Sequence, residues 1–242
     1  MLLCAIDFET TGLDFNKDRV IEIGAVLWST KLKAPVKLFS EFIHDETYPE
    51  LMEEITKITG ITKDLLGAWG YYPQEAFLLL TALMQKAEFV VAHNGNEFDK
   101  KFYEAECSRL DITPAATKWL DTTLDVPYPD SIHTRKLSYL AAEYGFLNPF
   151  PHRALFDVCT MLKVMSHFDI ETIIKYSEEP LVSMQADCRP PWEDGGLSSN
   201  KAKELYFRWV NDKKVWIRQV KQSKAPELLE QAKQKGLSVK II

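Results

Sequence analysis

"AIDFETTGLD", residues 5–14, decides how the chain folds. It ends an apolar run that climbs from Met1 to Ile6, and it then alternates Asp7, Phe8 and Glu9. Side chains two apart on a β-strand share a face. Asp7 and Glu9 therefore stand side by side at the end of a buried strand, where like charges repel and each loses hydration. A strand that keeps such a pair needs a compensating charge nearby.

Two further runs rich in apolar and β-branched residues follow, "RVIEIGAVLW" (19–28) and "PVKLFSEFIH" (35–44), set off by polar turns. Connections this short predict an antiparallel meander. "PQEAFLLLTALMQKA" (73–87) has helical periodicity, with Pro73 at a position suited to a helix start. "EFVVAHN" (88–94) reads as a buried strand. Amphipathic helices are expected at "EFDKKFYEAECSRL" (97–110), at "RKLSYLAAEYG" (135–145), which Gly145 stops, and at "HRALFDVCTMLKVMSHF" (152–168). The fold class is α/β, a mixed sheet of three meander strands plus parallel strands, flanked by helices.

The 242 residues are 46% apolar, enough for one sizeable core and a small appendage. Proline and glycine gather in 179–196, which reads as a linker between a main domain over 1–178 and a small α+β module over 197–242. In that module "SSNKAKEL" reads as a helix start, "YFRWV-NDKK-VWIRQV" as a hairpin, "APELLEQAKQKG" as a helix and "LSVKII" as a strand. Charge divides the same way. Residues 195–242 hold 11 Lys and Arg against 4 Asp and Glu; taken from totals of 29 and 35, this leaves 18 against 31, or −13, in residues 1–194. Tyr206, Phe207, Trp209 and Trp216 lie among Lys203, Arg208, Lys213, Lys214 and Arg218. Aromatics among cations suit single-stranded nucleic acid, while the two tryptophans serve equally as the module's own core. No stretch of 18 apolar residues spans a membrane, and the N-terminus lacks the basic start of a signal peptide. The four scattered cysteines make neither a disulfide framework nor a zinc site, so a cytoplasmic setting is expected.

Three clusters carry chemistry: Asp7 with Glu9; Asp99 in "VVAHNGNEFDKKF"; and His152 five residues before Asp157 in "PHRALFDV". Carboxylates gathered at the end of a sheet suit hard cations, Mg²⁺ or Mn²⁺. Two such ions about 3.5–4 Å apart form a clamp for phosphoryl chemistry.

"DFETTGLD" (7–14), "AHNGNEFD" (92–99) and "HRALFD" (152–157), in this order, resemble the three motifs of the DnaQ-like 3′→5′ exonucleases of the RNase H-like superfamily. "VIEIGAV", "ITKITGIT" and "KLSYLAAEYG" support the likeness, which runs from Leu2 to about Phe168. His152 in H-x-A-x-x-D form, with Arg153 where another subclass has tyrosine, is similar to the DEDDh subclass. "HNGNEFD" is nearest in wording to the three-prime repair exonucleases and exonuclease I, and "HRALFD" equally resembles exonuclease X. The resemblance implies that Asp7, Glu9, Asp99 and Asp157 bind two Mg²⁺ or Mn²⁺ and that His152 is the general base. It implies that Glu9 and the Thr10 backbone meet the terminal 3′-hydroxyl, that Leu13 wedges between the last two bases, and that Phe98 packs on the terminal sugar or base. Core packing is the alternative for Leu13 and Phe98. The implied partner is nucleic acid with a free 3′ end. Because an acidic body cannot grip a long duplex, single-stranded DNA is favoured. An exoribonuclease similar to RNase T or oligoribonuclease, and a non-catalytic nucleic-acid-binding or polymerase-binding module, are the alternatives.

Overall fold

A computed structural model describes residues 1–129, 131–132, 134–193 and 197–242 of the chain. It divides into two units, Met1–Ile174 and Lys175–Ile242.

The first unit is built on β1 (Leu2–Thr10), β2 (Val20–Ser29), β3 (Ala34–Phe42), β4 (Phe89–Ala92) and β5 (Lys118–Asp121), in the order β3-β2-β1-β4-β5. The meander forms as expected: β1 with β2 and β2 with β3 are antiparallel, while β4 and β5 run parallel to β1. The period of two in β1 sorts its side chains onto two faces. Cys4, Ile6 and Phe8 pack with α3 (Pro73–Met84) and α4 (Asp99–Arg109) through Phe77, Leu80, Phe102 and Tyr103. Leu3 and Ala5 pack on the other face with α5 (Leu137–Glu143) and α6 (Ala154–Met165) through Leu140, Val158, Met161 and Leu162. Gly145 closes α5 in the left-handed conformation, φ +83°. Two seven-residue helices, α1 (Glu53–Thr59) and α2 (Lys63–Trp69), and α7 (Ile170–Ser177) add to the helices expected from sequence.

In the second unit β6 (Leu181–Asp187), β7 (Arg208–Val210), β8 (Val215–Lys221) and β9 (Ser238–Ile241) form an antiparallel sheet ordered β7-β8-β6-β9. Helices α8 (Leu197–Glu204) and α9 (Ala225–Gln234) contribute Ala202, Leu228 and Ala232 to its core. Strand β6 corrects the expected linker over 179–196. Alternation in "LVSMQAD" buries Met184 and Ala186 against the core, and this outweighs the flanking prolines. Residues 194–196 of that segment lie outside the described residues. Of the aromatics, Phe207 and Trp216 are core residues, and Trp216 Nε1 donates to the Arg189 carbonyl. Trp209 is half-buried, edge-on to both Trp192 and Trp216. Tyr206, under the Arg218 guanidinium, and Trp192 remain exposed.

Among the described residues, no helix is long and apolar enough to cross a membrane. Among the described residues no disulfide joins any of the four cysteines.

Candidate active site

The first unit's site begins with a missing side chain. Asp7 pairs with Gly24 across the β1–β2 ladder, and Glu9 pairs with Glu22. A Cβ on Gly24 would lie 2.2 Å from the Ala154 carbonyl carbon and 2.3 Å from the Leu155 nitrogen. Only glycine lets the start of α6 descend onto the sheet here, beside the two acidic residues of β1. Glu22 secures that helix end. Its carboxylate accepts from Arg153 Nε (3.1 Å) and Nη2 (2.9 Å) and from the Ala154 backbone N–H (3.1 Å).

Asp99, the first residue of α4, joins the second motif to the first: its Oδ1 accepts the backbone N–H of Phe8, which lies between Asp7 and Glu9 (3.1 Å). The third motif arrives from the other side. Asp157, in the first turn of α6, accepts from the His152 backbone N–H (2.9 Å) and from Asn148 Nδ2 (2.7 Å). Ligand atoms of Glu9, His152 and Asp157 all lie within 4.8 Å of one another. His152 itself is exposed and left-handed at φ +61°. All five side chains expected to carry catalysis thus gather at the end of β1.

Their electrostatics are unbalanced. Burial, then Asp99, Glu9, Asp157 and Glu22, hold the Asp7 carboxyl well above the usual carboxylate range. Burial pushes Glu9 up to about 8, reinforced by Asp157, Glu22 and Asp99 and opposed by Arg153. Burial pushes Asp99 up to about 8 against hydrogen bonds that favour its charge, and it also raises Asp157. Among the described residues the Asp7 and Glu9 carboxylates accept no hydrogen bond. Oxygen donors with excess negative charge and spare lone pairs fit hard divalent cations.

The residues expected to hold a terminal nucleotide divide. Leu13 is 84% exposed, which removes core packing as its role. Its loop is anchored from α4: the buried Glu106 accepts from Arg19 Nε (2.8 Å) and Arg109 Nη1 (3.0 Å), and Arg109 also donates to the Phe15 and Asp18 carbonyls. Thr10 is buried, its hydroxyl donating to the Gly12 carbonyl. Phe98 is half-buried and packs on Phe102 at 4.8 Å between ring centroids.

Sequence reading missed the residues that hold the motifs in place. Besides Glu22 and Asn148 there is Asp121, at the end of β5 and 1% exposed. Its carboxylate accepts the backbone N–H groups of Asn94 (3.1 Å), Asn96 (3.1 Å) and Thr123 (2.9 Å), so it shapes the loop leading to Asp99. His93 in the same loop bridges Thr122 Oγ1 (2.7 Å) and the Arg135 carbonyl (2.6 Å), and burial lowers its pKa. A lone acidic residue after a short apolar run carries no signal of this in sequence.

A family profile described as an exonuclease, RNase T, matches residues 4–165. The chain belongs to the RNase T exonuclease family. With its three motifs in order it is a DnaQ-like 3′→5′ exonuclease. It is 34% identical over 157 residues to the DNA polymerase III subunit epsilon of Treponema pallidum, covering 62% of this chain and 68% of that one. It is 28% identical over 130 residues to the human 3′-5′ exoribonuclease 1, covering 49% of this chain and 37% of that one. It spans only 10% of the PolC-type DNA polymerase of Caldanaerobacter subterraneus, which it also matches. In fold it resembles E. coli exonuclease I in complex with a dA16 oligonucleotide, with a TM-score of 0.66 at 16% identity, covering 98% of this chain and 68% of that one.

Proposed function

We propose that this exonuclease is metal-dependent and releases nucleoside 5′-monophosphates from the 3′ end of single-stranded DNA. The observation that carries the reading is the meeting of three sequence-distant motifs at one strand end, through Asp99 to the Phe8 N–H and through Glu9, His152 and Asp157. Asp7, Glu9, Asp99 and Asp157 would hold two Mg²⁺ or Mn²⁺. When bound, such ions polarise the phosphoryl oxygens and lower the pKa of attacking water. A ring nitrogen of His152 takes the proton of the water whose oxygen bonds to phosphorus, while the P–O3′ bond breaks and the freed 3′-oxygen takes a proton from solvent. The His152 backbone N–H and Asn148 orient Asp157, and the Phe8 N–H orients Asp99. Glu9 and the Thr10 backbone meet the 3′-hydroxyl, Leu13 enters between the last two bases, and Phe98 supports the terminal nucleotide.

The test uses 5′-labelled single-stranded DNA and its RNA counterpart with Mg²⁺, Mn²⁺ or EDTA, resolved on a denaturing gel. A descending ladder that needs metal and runs faster on DNA is expected. A faster RNA ladder would move the substrate to RNA, the polymer named for the human relative. No shortening of either strand would turn the reading to a binding module.

The basic unit serves in this reading as a grip on the strand. Its exposed Lys213 and Lys214 sit in the turn between β7 and β8. Lys213→Gln with Lys214→Gln should weaken single-strand binding. It should also flatten the slope of log K against log salt by about 0.7 for each phosphate that the variant no longer neutralises. An unchanged slope would remove this turn from the nucleic-acid path.

A further inference from the structure

Three apolar side chains beside the catalytic cluster pack into no core. Phe150 is 55% exposed, Leu147 79% and Phe156 38%, and none belongs to a buried cluster. The two phenylalanine rings meet edge-on at 4.8 Å between centroids. Both are tied to the site by the chain itself, Phe150 standing two residues before His152 and Phe156 one before Asp157. A single side chain couples them further. Asn148 Oδ1 accepts the Phe150 backbone N–H (3.0 Å) while its Nδ2 donates to Asp157 Oδ1 (2.7 Å). Pro149 and Pro151 flank Phe150 and fix the backbone on both sides, so the ring is presented with little conformational entropy left to lose.

We propose that the Phe150 ring, braced edge-on by Phe156, forms a stacking platform for an unpaired nucleobase of the strand being cut. The base is not the terminal one that Phe98 supports. The proposal rests on the exonuclease reading above. A phosphodiester bound at Asp157 and His152 brings its neighbouring base within reach of side chains on the same loop. A base offers a π-face that one phenyl ring can stack on, and aromatic stacking is tolerant of sequence. The patch is too small for a stable protein interface, which needs about 800 Å² from each partner.

The test is binding of a 5′-fluorescent single-stranded DNA by the full chain in EDTA, read by anisotropy, beside the ladder assay with Mg²⁺. Phe150→Ala is expected to weaken binding about tenfold, within the range for loss of one stacked base, and Phe150→Trp to bind as wild type does. A set of strands carrying one abasic residue, moved back step by step from the 3′ end, locates the base. At one position the abasic strand should bind wild type as weakly as the intact strand binds Phe150→Ala, and the variant should lose nothing further there. Equal binding by Phe150→Ala and wild type would overturn the platform. So would a loss in the variant that is the same on intact and on every abasic strand, since that reports a disturbed loop. Failure of the exonuclease reading is separate: it is a wild-type protein that binds the strand and does not shorten it with Mg²⁺.

Discussion

Asp99→Asn is expected to lose nuclease activity and, in the absence of metal, to melt at a higher temperature than wild type. Both effects come from the charge at the end of β1. Burial pushes Glu9 and Asp99 up to about 8 and holds Asp7 well above the ordinary carboxylate range. Unfolded carboxyls ionise near 4. The folded protein therefore keeps protons that the unfolded chain has already released. Stability then falls as pH rises from the unfolded values toward about 8. At about pH 5 Asp99 is protonated, and the asparagine, which can still accept the Phe8 N–H, differs little from it. At about pH 9 wild type carries a buried charge that the variant lacks. Each kcal/mol so relieved raises the melting temperature by about 2–4 °C for a chain of this size. Thermal denaturation in EDTA across that range checks the sign. Equal melting temperatures of the two proteins at both ends would refute the account of a strained carboxylate cluster. Saturating Mg²⁺ should stabilise wild type at high pH and do much less for the variant, because only wild type has the full set of charged oxygens to hold it.

Much of this site was legible because its signals are local. The period of two put Asp7 and Glu9 on one face, and the structure keeps them on the face that meets α6. Asp99 opens α4 and Asp157 lies in the first turn of α6, helices that the periodicity around them indicates. What periodicity cannot show is which distant segments meet. Glu22 and Arg153 are separated by 131 positions, and Phe8 and Asp99 by 91. Gly24 looks like an ordinary weak point in a strand until α6 is found lying against it. The misread linker has a different cause. Pro180, Pro190 and Pro191 punctuate it strongly, yet the seven residues of β6 between them alternate cleanly. Strand β5 has only four residues, and α1 and α2 seven each, too few for a period to emerge. In the basic unit the composition of aromatics and cations was legible but its geometry was not. Phe207 and Trp216 went to the core, leaving Tyr206 and Trp192 outside.

His152→Asn is expected to lower kcat about 10²–10⁴-fold, the contribution of a well-placed general base, while leaving metal binding intact. Asparagine is the informative replacement because two features of His152 must be kept apart. Its backbone is left-handed at φ +61° and donates its N–H to Asp157 Oδ2. Its ring nitrogen lies within 4.8 Å of the Glu9 and Asp157 oxygens. Asparagine tolerates the left-handed conformation better than alanine does, so Asp157 keeps its partner and only the proton acceptor is lost. His152→Ala should show the same loss in kcat together with lower stability. Free imidazole added to either variant should restore part of the turnover, since the vacated ring position borders solvent. The metal requirement, measured as the Mn²⁺ concentration for half-maximal turnover, separates the two roles a histidine can take here. A base leaves that concentration unchanged, whereas a ligand raises it in step with the loss of rate. Near-normal kcat in His152→Asn would remove the base from His152 altogether, and the proton would then have to leave through another group at the site.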